Sequence, residues 1–232
     1  MMIFVAVSGG ADSTAMALRM AELGERFSLL FTPTGNELGE VSMHVLKLSE
    51  LTGAQLVMPP APTLEQLIEG FGSLPNNRQR WCTRMIKIQP CAAYLKAHPG
   101  STLCVGLRAD EPTREGGLYG ESVTYRTPLR EWGWSRADVL TYLKERGIEV
   151  PPRTDCAWCY DQRLTDWYNL WKKEPGQWAK GEAHEAKTGH TFRSPSRDTQ
   201  PVSMAELRKK FEGGYIPKER KRLQTVCQVC RL

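Results

Sequence analysis

In the first half of the chain, short unbroken apolar runs alternate with amphipathic stretches. Ile3-Phe4-Val5-Ala6-Val7 is such a run, the form taken by a parallel strand covered on both faces, and it leads straight into a glycine turn. From Asp12 to Glu25 the residues Ala15, Met16, Leu18 and Leu23 recur at helical spacing. Phe27 to Phe31 gives a second run, Val41 to Leu51 a second amphipathic helix, and Gln55 to Met58 a third short strand. This β-α-β-α-β order predicts an α/β fold: a parallel sheet with helices on both faces, right-handed crossovers, and a ligand crevice beyond the carboxyl ends of the strands. A further helix is expected over Thr83 to Ala97, a fourth buried strand over Thr102 to Leu107, and a helix over Ser135 to Arg146 with Ser135 as its N-cap.

Beyond Val150-Pro151-Pro152 the strand-like runs cease and the chain becomes tryptophan-rich. Pro175 suits a first helical turn and Ser203-x-x-Glu206 is a capping box. The pattern therefore divides the chain into a nucleotide-binding α/β domain at 1–150 and a small helical, cysteine-containing subdomain at 151–232. Trp158, Trp167, Trp171 and Trp178, near helical spacing, are read as core of that subdomain, and His44, His98, His184 and His190 as surface residues.

Composition narrows the partners. A chain of 232 residues with 41% apolar and 25% charged residues has the make-up of an ordinary globular protein, with room for one sizeable domain and an appendage. A net charge of +5 suits a phosphate-bearing ligand but falls short of a dedicated nucleic-acid binder. No run approaches the roughly 18 apolar residues of a membrane helix, and Met1-Met2-Ile3-Phe4-Val5 lacks the form of a signal peptide, so a cytoplasmic location without membrane association is expected. In a reducing compartment, seven cysteines, four of them in the pairs Cys156/Cys159 and Cys227/Cys230, point to metal or redox chemistry rather than a disulfide framework.

The loop Ser8-Gly9-Gly10-Ala11-Asp12-Ser13 has the parts of an anion site. Its glycines let backbone N–H groups approach phosphates, the following helix adds partial positive charge, and the Ser8 and Ser13 hydroxyls are further donors. No Gly-Lys-Ser/Thr follows, so this is no Walker A loop and transfer of a terminal phosphate is not expected. The structural alternative is a strand-to-helix turn in which Asp12 or Ser13 only caps the helix.

The same six residues resemble the Ser-Gly-Gly-x-Asp-Ser signature of the PP-loop superfamily (adenine nucleotide alpha hydrolase-like, a Rossmann-like fold), and later segments resemble its phosphoadenylyl sulfate reductase-like branch. These are Phe31-Thr32-Pro33-Thr34-Gly35-Asn36-Glu37; Arg80-Trp81-Cys82-Thr83 with Lys87 and Pro90; Val105-Gly106-Leu107-Arg108-Ala109-Asp110-Glu111 with Arg114; and Tyr125-Arg126-Thr127-Pro128-Leu129 before Trp132-Gly133-Trp134. The resemblance implies an adenine nucleotide, ATP or phosphoadenylyl sulfate with Mg²⁺ as an accompanying ion, held by Ser8, Gly9, Gly10, Asp12, Ser13, Thr34 and Gly35. It places Arg108 and Arg114 near the phosphates, where a guanidinium offers a bidentate fork. Arg78, Arg80 and Arg84 are candidates for the same mouth. Pro33 departs from the family pattern, which has an aspartate there.

Each Cys-x-x-Cys is half of a tetrahedral zinc site or half of a four-iron ligand set. The resemblance of Asp155-Cys156-Ala157-Trp158-Cys159 to a cluster-holding segment favours a [4Fe–4S] cluster on Cys82, Cys156, Cys159 and one of Cys227 or Cys230. The alternative is a structural zinc on Cys156, Cys159, Cys227 and Cys230. Cys91 and Cys104, in apolar surroundings, are expected to be plain buried residues. In the family's reductases a C-terminal cysteine in a Glu-Cys-Gly-x-His context attacks the sulfonucleotide and thioredoxin resolves the product. Here the tail reads Thr225-Val226-Cys227-Gln228-Val229-Cys230-Arg231-Leu232, which leaves Cys230 as nucleophile or ligand. Three functions stand side by side: reductive cleavage of a sulfonucleotide with a thioredoxin-like reductant; ATP cleavage between its α- and β-phosphates to adenylate a nucleobase or nucleic-acid acceptor for sulfur or nitrogen transfer, with a sulfur carrier as partner; and a non-catalytic nucleotide- or metal-binding module.

Overall fold

In the computed structural model, which describes residues 2–114, 123–194 and 202–218, five strands lie in the order β3-β2-β1-β4-β5 and every neighbouring pair is parallel. They are β1 (Ile3–Ala6), β2 (Ser28–Leu30), β3 (Leu56–Val57), β4 (Thr102–Cys104) and β5 (Thr124–Arg126). The helices between them are α1 (Ala11–Glu22), α2 (Gly39–Thr52), α3 (Leu64–Phe71) and α4 (Gln89–Lys96). After the sheet come α5 (Pro128–Glu131), α6 (Arg136–Glu145), α7 (Leu164–Lys173), α8 (Pro175–Thr188) and α9 (Met204–Glu212).

Successive strand residues point to opposite faces, which is why the strands are apolar throughout. Phe4, Leu30 and Leu103 pack with Cys91 and Leu95 of α4 on one face. Val5, Leu29 and Cys104 pack on the other with Met16 and Met20 of α1, Val45 and Leu48 of α2, and Val139 and Leu143 of α6. A second core joins Leu64, Ile68, Trp81 and Ile86 to Trp158, Trp167, Trp178, Met204 and Phe211, so residues from both sides of position 150 share it. Trp158, Trp167 and Trp178 are buried as expected of core, while Trp171 packs partly buried at its edge. Ser135 and Ser203 cap their helices with reciprocal boxes, and Pro175 opens α8.

Several elements differ from expectation. The helix foreseen over 83–97 is split into a π-helical segment, Thr83–Ile88, and α4. Pro90 accounts for the break: in a continuous α-helix it would have no N–H for the Ile86 carbonyl, and its ring would collide with that oxygen. The fourth strand stops at Cys104 because the chain turns, with Leu107 N–H donating to Val105 O at 2.8 Å. Three of the histidines are half-buried: His44 meets Thr14 Oγ1 through Nε2 at 2.9 Å, His98 packs tilted against Tyr94, and His184 packs edge-on to Trp158. Among the described residues no helix is long and apolar enough to cross a membrane.

Candidate functional site

The chain leaves β1 towards β2 and β3 on one side and returns to place β4 and β5 on the other, so the loops after β1 and β4 diverge and open a crevice between them. The first of these is 8–13. Gly9 takes φ +77°, and α1 starts with Gly10 as N-cap and no side-chain cap, so neither Asp12 nor Ser13 spends itself on capping. Ser13 Oγ donates to Gly10 O at 3.1 Å and accepts from Ser8 N at 3.3 Å, while Ser8 Oγ accepts from Gly10 N at 3.4 Å and keeps its own proton to donate. Two glycines permit close approach. A Cβ on Gly9 would lie 3.1 Å from Val41, and one on Gly106 would lie 3.3 Å from the Asp12 and Ser13 main chain.

The loop after β4 is tied to the first through charge. Arg108, 5% exposed, hydrogen-bonds Asp12 Oδ2 through Nη1 at 2.6 Å and Asp110 Oδ1 through Nε at 2.9 Å. Its Nη2 stands 3.1 Å from Glu111 Oε1, an ion pair out of hydrogen-bond alignment, and Glu111 Oε2 accepts from Arg114 Nη1 at 2.9 Å. Arg108 thus turns much of its fork to carboxylates. Burial raises the pKa of Asp12 and the Arg108 guanidinium opposes that rise; its Oδ1 is buried without a hydrogen-bond partner. Arg130, which no sequence motif marked, donates to the carbonyls of Arg108, Glu111 and Arg114.

The loop after β2 is closed by Glu37, which accepts from Thr34 N at 2.6 Å, Thr34 Oγ1 at 2.7 Å and Gly35 N at 3.0 Å. Thr34 also lines a cavity of about 40 Å³ with Cys82, Cys156, Cys159, Arg80 and Lys87. Three of the five candidate metal ligands therefore meet in one place; Cys227 and Cys230 lie outside the described residues. Arg153 braces the turn, donating to Cys156 O at 2.9 Å and Gln162 Oε1 at 2.6 Å. A hydrogen bond from the Cys156 thiol to Cys159, together with burial, raises the Cys156 thiol pKa, and burial with the neighbouring Cys159 raises that of Cys82. Among the described residues no three His, Cys, Asp or Glu side chains stand in ligating arrangement, so the thiols converge without forming a ready-made metal cage. Cys91 and Cys104 are buried, their thiols pushed up to about 12 by burial. Arg80 reaches the cavity, whereas Arg78 and Arg84 are exposed.

The two sites adjoin. A Cβ on Gly10 would lie 3.8 Å from Thr154, two residues before Cys156, and Ala157 N donates to Asn36 O at 2.8 Å.

The profile of the phosphoadenosine phosphosulfate reductase domain matches residues 2–155. An uncharacterized protein of Methanocaldococcus jannaschii is 27% identical over 146 residues, 62% of this chain and 33% of that protein. Argininosuccinate synthase of Streptococcus mutans is 46% identical over 37 residues, 16% of this chain and 9% of that enzyme. The matched segments thus span a third or less of these curated relatives. The phosphoadenylyl-sulfate reductase of Candida auris, solved as a phosphate complex, superposes with a TM-score of 0.52 at 17% identity, over 64% of this chain and 74% of that one, and so shares the fold.

Proposed function

We propose that this chain, which belongs to the phosphoadenosine phosphosulfate reductase domain family, is an enzyme that binds an adenine nucleotide on the loop 8–13 and carries out sulfur chemistry beside it. One observation carries the reading: the uncapped start of α1 and the three-thiol cavity are neighbours, joined by Gly10 against Thr154 and by Ala157 against Asn36. Ser8, Gly9, Gly10 and Ser13 hold the phosphates, Thr34 and Gly35 form the facing wall, and Arg114 with the remaining donors of Arg108 stabilises charge on phosphate or sulfate oxygens. Three carboxylates, Asp12, Asp110 and Glu111, face the two guanidiniums of Arg108 and Arg114. That balance favours a nucleotide accompanied by Mg²⁺, and the buried, unpartnered Oδ1 of Asp12 suits such a hard cation.

In the reductase form, a cysteine thiolate attacks the sulfur of phosphoadenylyl sulfate, the sulfur–oxygen bond to the nucleotide breaks, and the nucleotide leaves with that electron pair. A thioredoxin-like dithiol then displaces sulfite and is itself oxidised to a disulfide. Cys230 is the candidate nucleophile. Cys82, Cys156 and Cys159 suit a soft metal, as a [4Fe–4S] cluster or a zinc ion, with Cys227 or Cys230 completing the set. Such a metal would supply charge that offsets the mutual repulsion of the thiolates.

The residues around Cys227 and Cys230 depart from the Glu-Cys-Gly-x-His context, which favours a second reading, ATP cleavage between the α- and β-phosphates to activate an acceptor for sulfur transfer. Anaerobic incubation decides between them. Sulfite release from phosphoadenylyl sulfate with a dithiol reductant supports the first, and pyrophosphate release from ATP the second. Consumption of neither, with binding intact, leaves a nucleotide-binding module. Gly9→Asp places a carboxylate among the phosphates, and unchanged affinity for both nucleotides in that variant would sink the loop assignment.

A further inference from the structure

Arg130 lies in the four-residue helix α5, just after β5, and reaches back to the loop that follows β4. Its Nη2 donates to Glu111 O at 2.5 Å and Arg114 O at 2.6 Å, and its Nε to Arg108 O at 3.3 Å. These carbonyls are spaced three residues apart. The same segment is closed by two consecutive turns, Glu111 N to Arg108 O at 3.2 Å and Arg114 N to Glu111 O at 3.1 Å. A chain with a three-residue repeat stacks positions i, i+3 and i+6 in a row, so one guanidinium can serve all three carbonyls. The repeat also lines up the side chains, since Glu111 stands between Arg108 at 3.1 Å and Arg114 at 2.9 Å.

Among the described residues, Arg114 has little else to direct it: its Nε is buried without a hydrogen-bond partner, and its Nη1 is held through Glu111, itself a member of the clamped turns. The direction of Arg114 is therefore set by the main chain beneath it, and that main chain is set by Arg130. We propose that Arg130 is a positioning residue for nucleotide binding: by gathering the carbonyls of Arg108, Glu111 and Arg114 it fixes the two turns that aim Arg114 at the phosphate or sulfate of the ligand. This rests on the reading that loop 8–13 holds the phosphates and that Arg114 faces them. The role calls for a guanidinium. The ammonium of a lysine is a point donor on a flexible stem and cannot fork across three carbonyls.

The test is a double-mutant cycle on binding of ATP and of phosphoadenylyl sulfate, by titration calorimetry with Mg²⁺, using wild type, Arg130→Lys, Arg114→Ala and the double variant. Arg130→Lys weakens binding about tenfold in the wild-type background and less than about twofold once Arg114 is gone, because residues acting through one another are not additive. A merely structural arginine would cost the same in both backgrounds, and that result overturns the inference. So does unchanged binding in Arg130→Lys or in Arg114→Ala while wild type binds. A wild-type protein that binds neither nucleotide overturns the nucleotide reading, and the inference with it. Arg130→Gln, which keeps two donors on its amide, serves in the same cycle where Arg130→Lys does not give folded protein.

Discussion

A methyl group on Gly35 would stand 2.9 Å from Thr63 Cγ2 and 3.0 Å from Thr63 Cβ, at a backbone φ of +77°. Neither contact is with a flexible chain end, and the conformation itself disfavours an L side chain, so Gly35→Ala combines overpacking with backbone strain. It is expected to lower stability by about 2 kcal/mol, seen as a lower urea midpoint with an unchanged slope. Gly106 is different in kind: its φ is ordinary, and an added Cβ would press on the main chain of Asp12 and Ser13. A displacement of a few tenths of an ångström there moves the very N–H groups proposed to meet a phosphate. Gly106→Ala should therefore weaken ATP binding by about tenfold while costing little in thermal stability. Equal affinity in wild type and variant would show that the start of α1 does not touch the ligand. Both glycines were legible in the chain as members of motif segments. The steric reason for a glycine at 35 is Thr63 beside it, a contact no linear pattern reveals.

Among the elements, α8 and α9 are held together by a buried carboxylate. Glu185, 6% exposed, accepts from Phe192 N at 3.0 Å and from Met204 N at 2.6 Å. Burial nonetheless raises its pKa from 4.5 to about 7. The folded state thus binds this proton more tightly than the unfolded chain. Below about pH 4.5 both states are protonated and nothing is lost; as pH climbs to 7 the unfolded chain ionises first and stability falls, by about 3 kcal/mol in all. Wild type minus Glu185→Gln isolates this slope from that of His44, whose lowered pKa tilts stability the opposite way. Denaturant midpoints at pH 5 and pH 8 should show it, and a difference that does not change with pH would mean Glu185 is ionised throughout. The elements themselves were unequally readable. Strands β1, β2 and β4 announce themselves as apolar runs because both faces are covered. The edge strand β5, Thr124-Tyr125-Arg126, exposes its first two residues and so carries no apolar signature. Helix α3 did leave a mark, the Thr63-x-x-Gln66 capping box, hidden behind the proline-rich stretch 59–62.

At the scale of the molecule, the three thiols bring together segments far apart in the chain, the π-helical region around Cys82 and the turn Cys156–Cys159, and both abut the second core. A metal held there would act as a cross-link within that core. Its removal by chelator under anaerobic conditions should lower the melting temperature by about 5 °C or more. A metal-free preparation that melts unchanged would confine the cysteines to chemistry. The sequence order of the sheet has a temporal consequence as well. Strands β1, β2 and β3 are joined by short crossovers and can pair early, whereas Val5 meets Cys104 only after a long loop has closed. The crevice between the loops after β1 and β4 is completed by that late pairing. A bound nucleotide should for this reason leave the refolding rate nearly untouched and act almost wholly by slowing unfolding, so that the ligand governs how long the native state lasts more than how quickly it is reached.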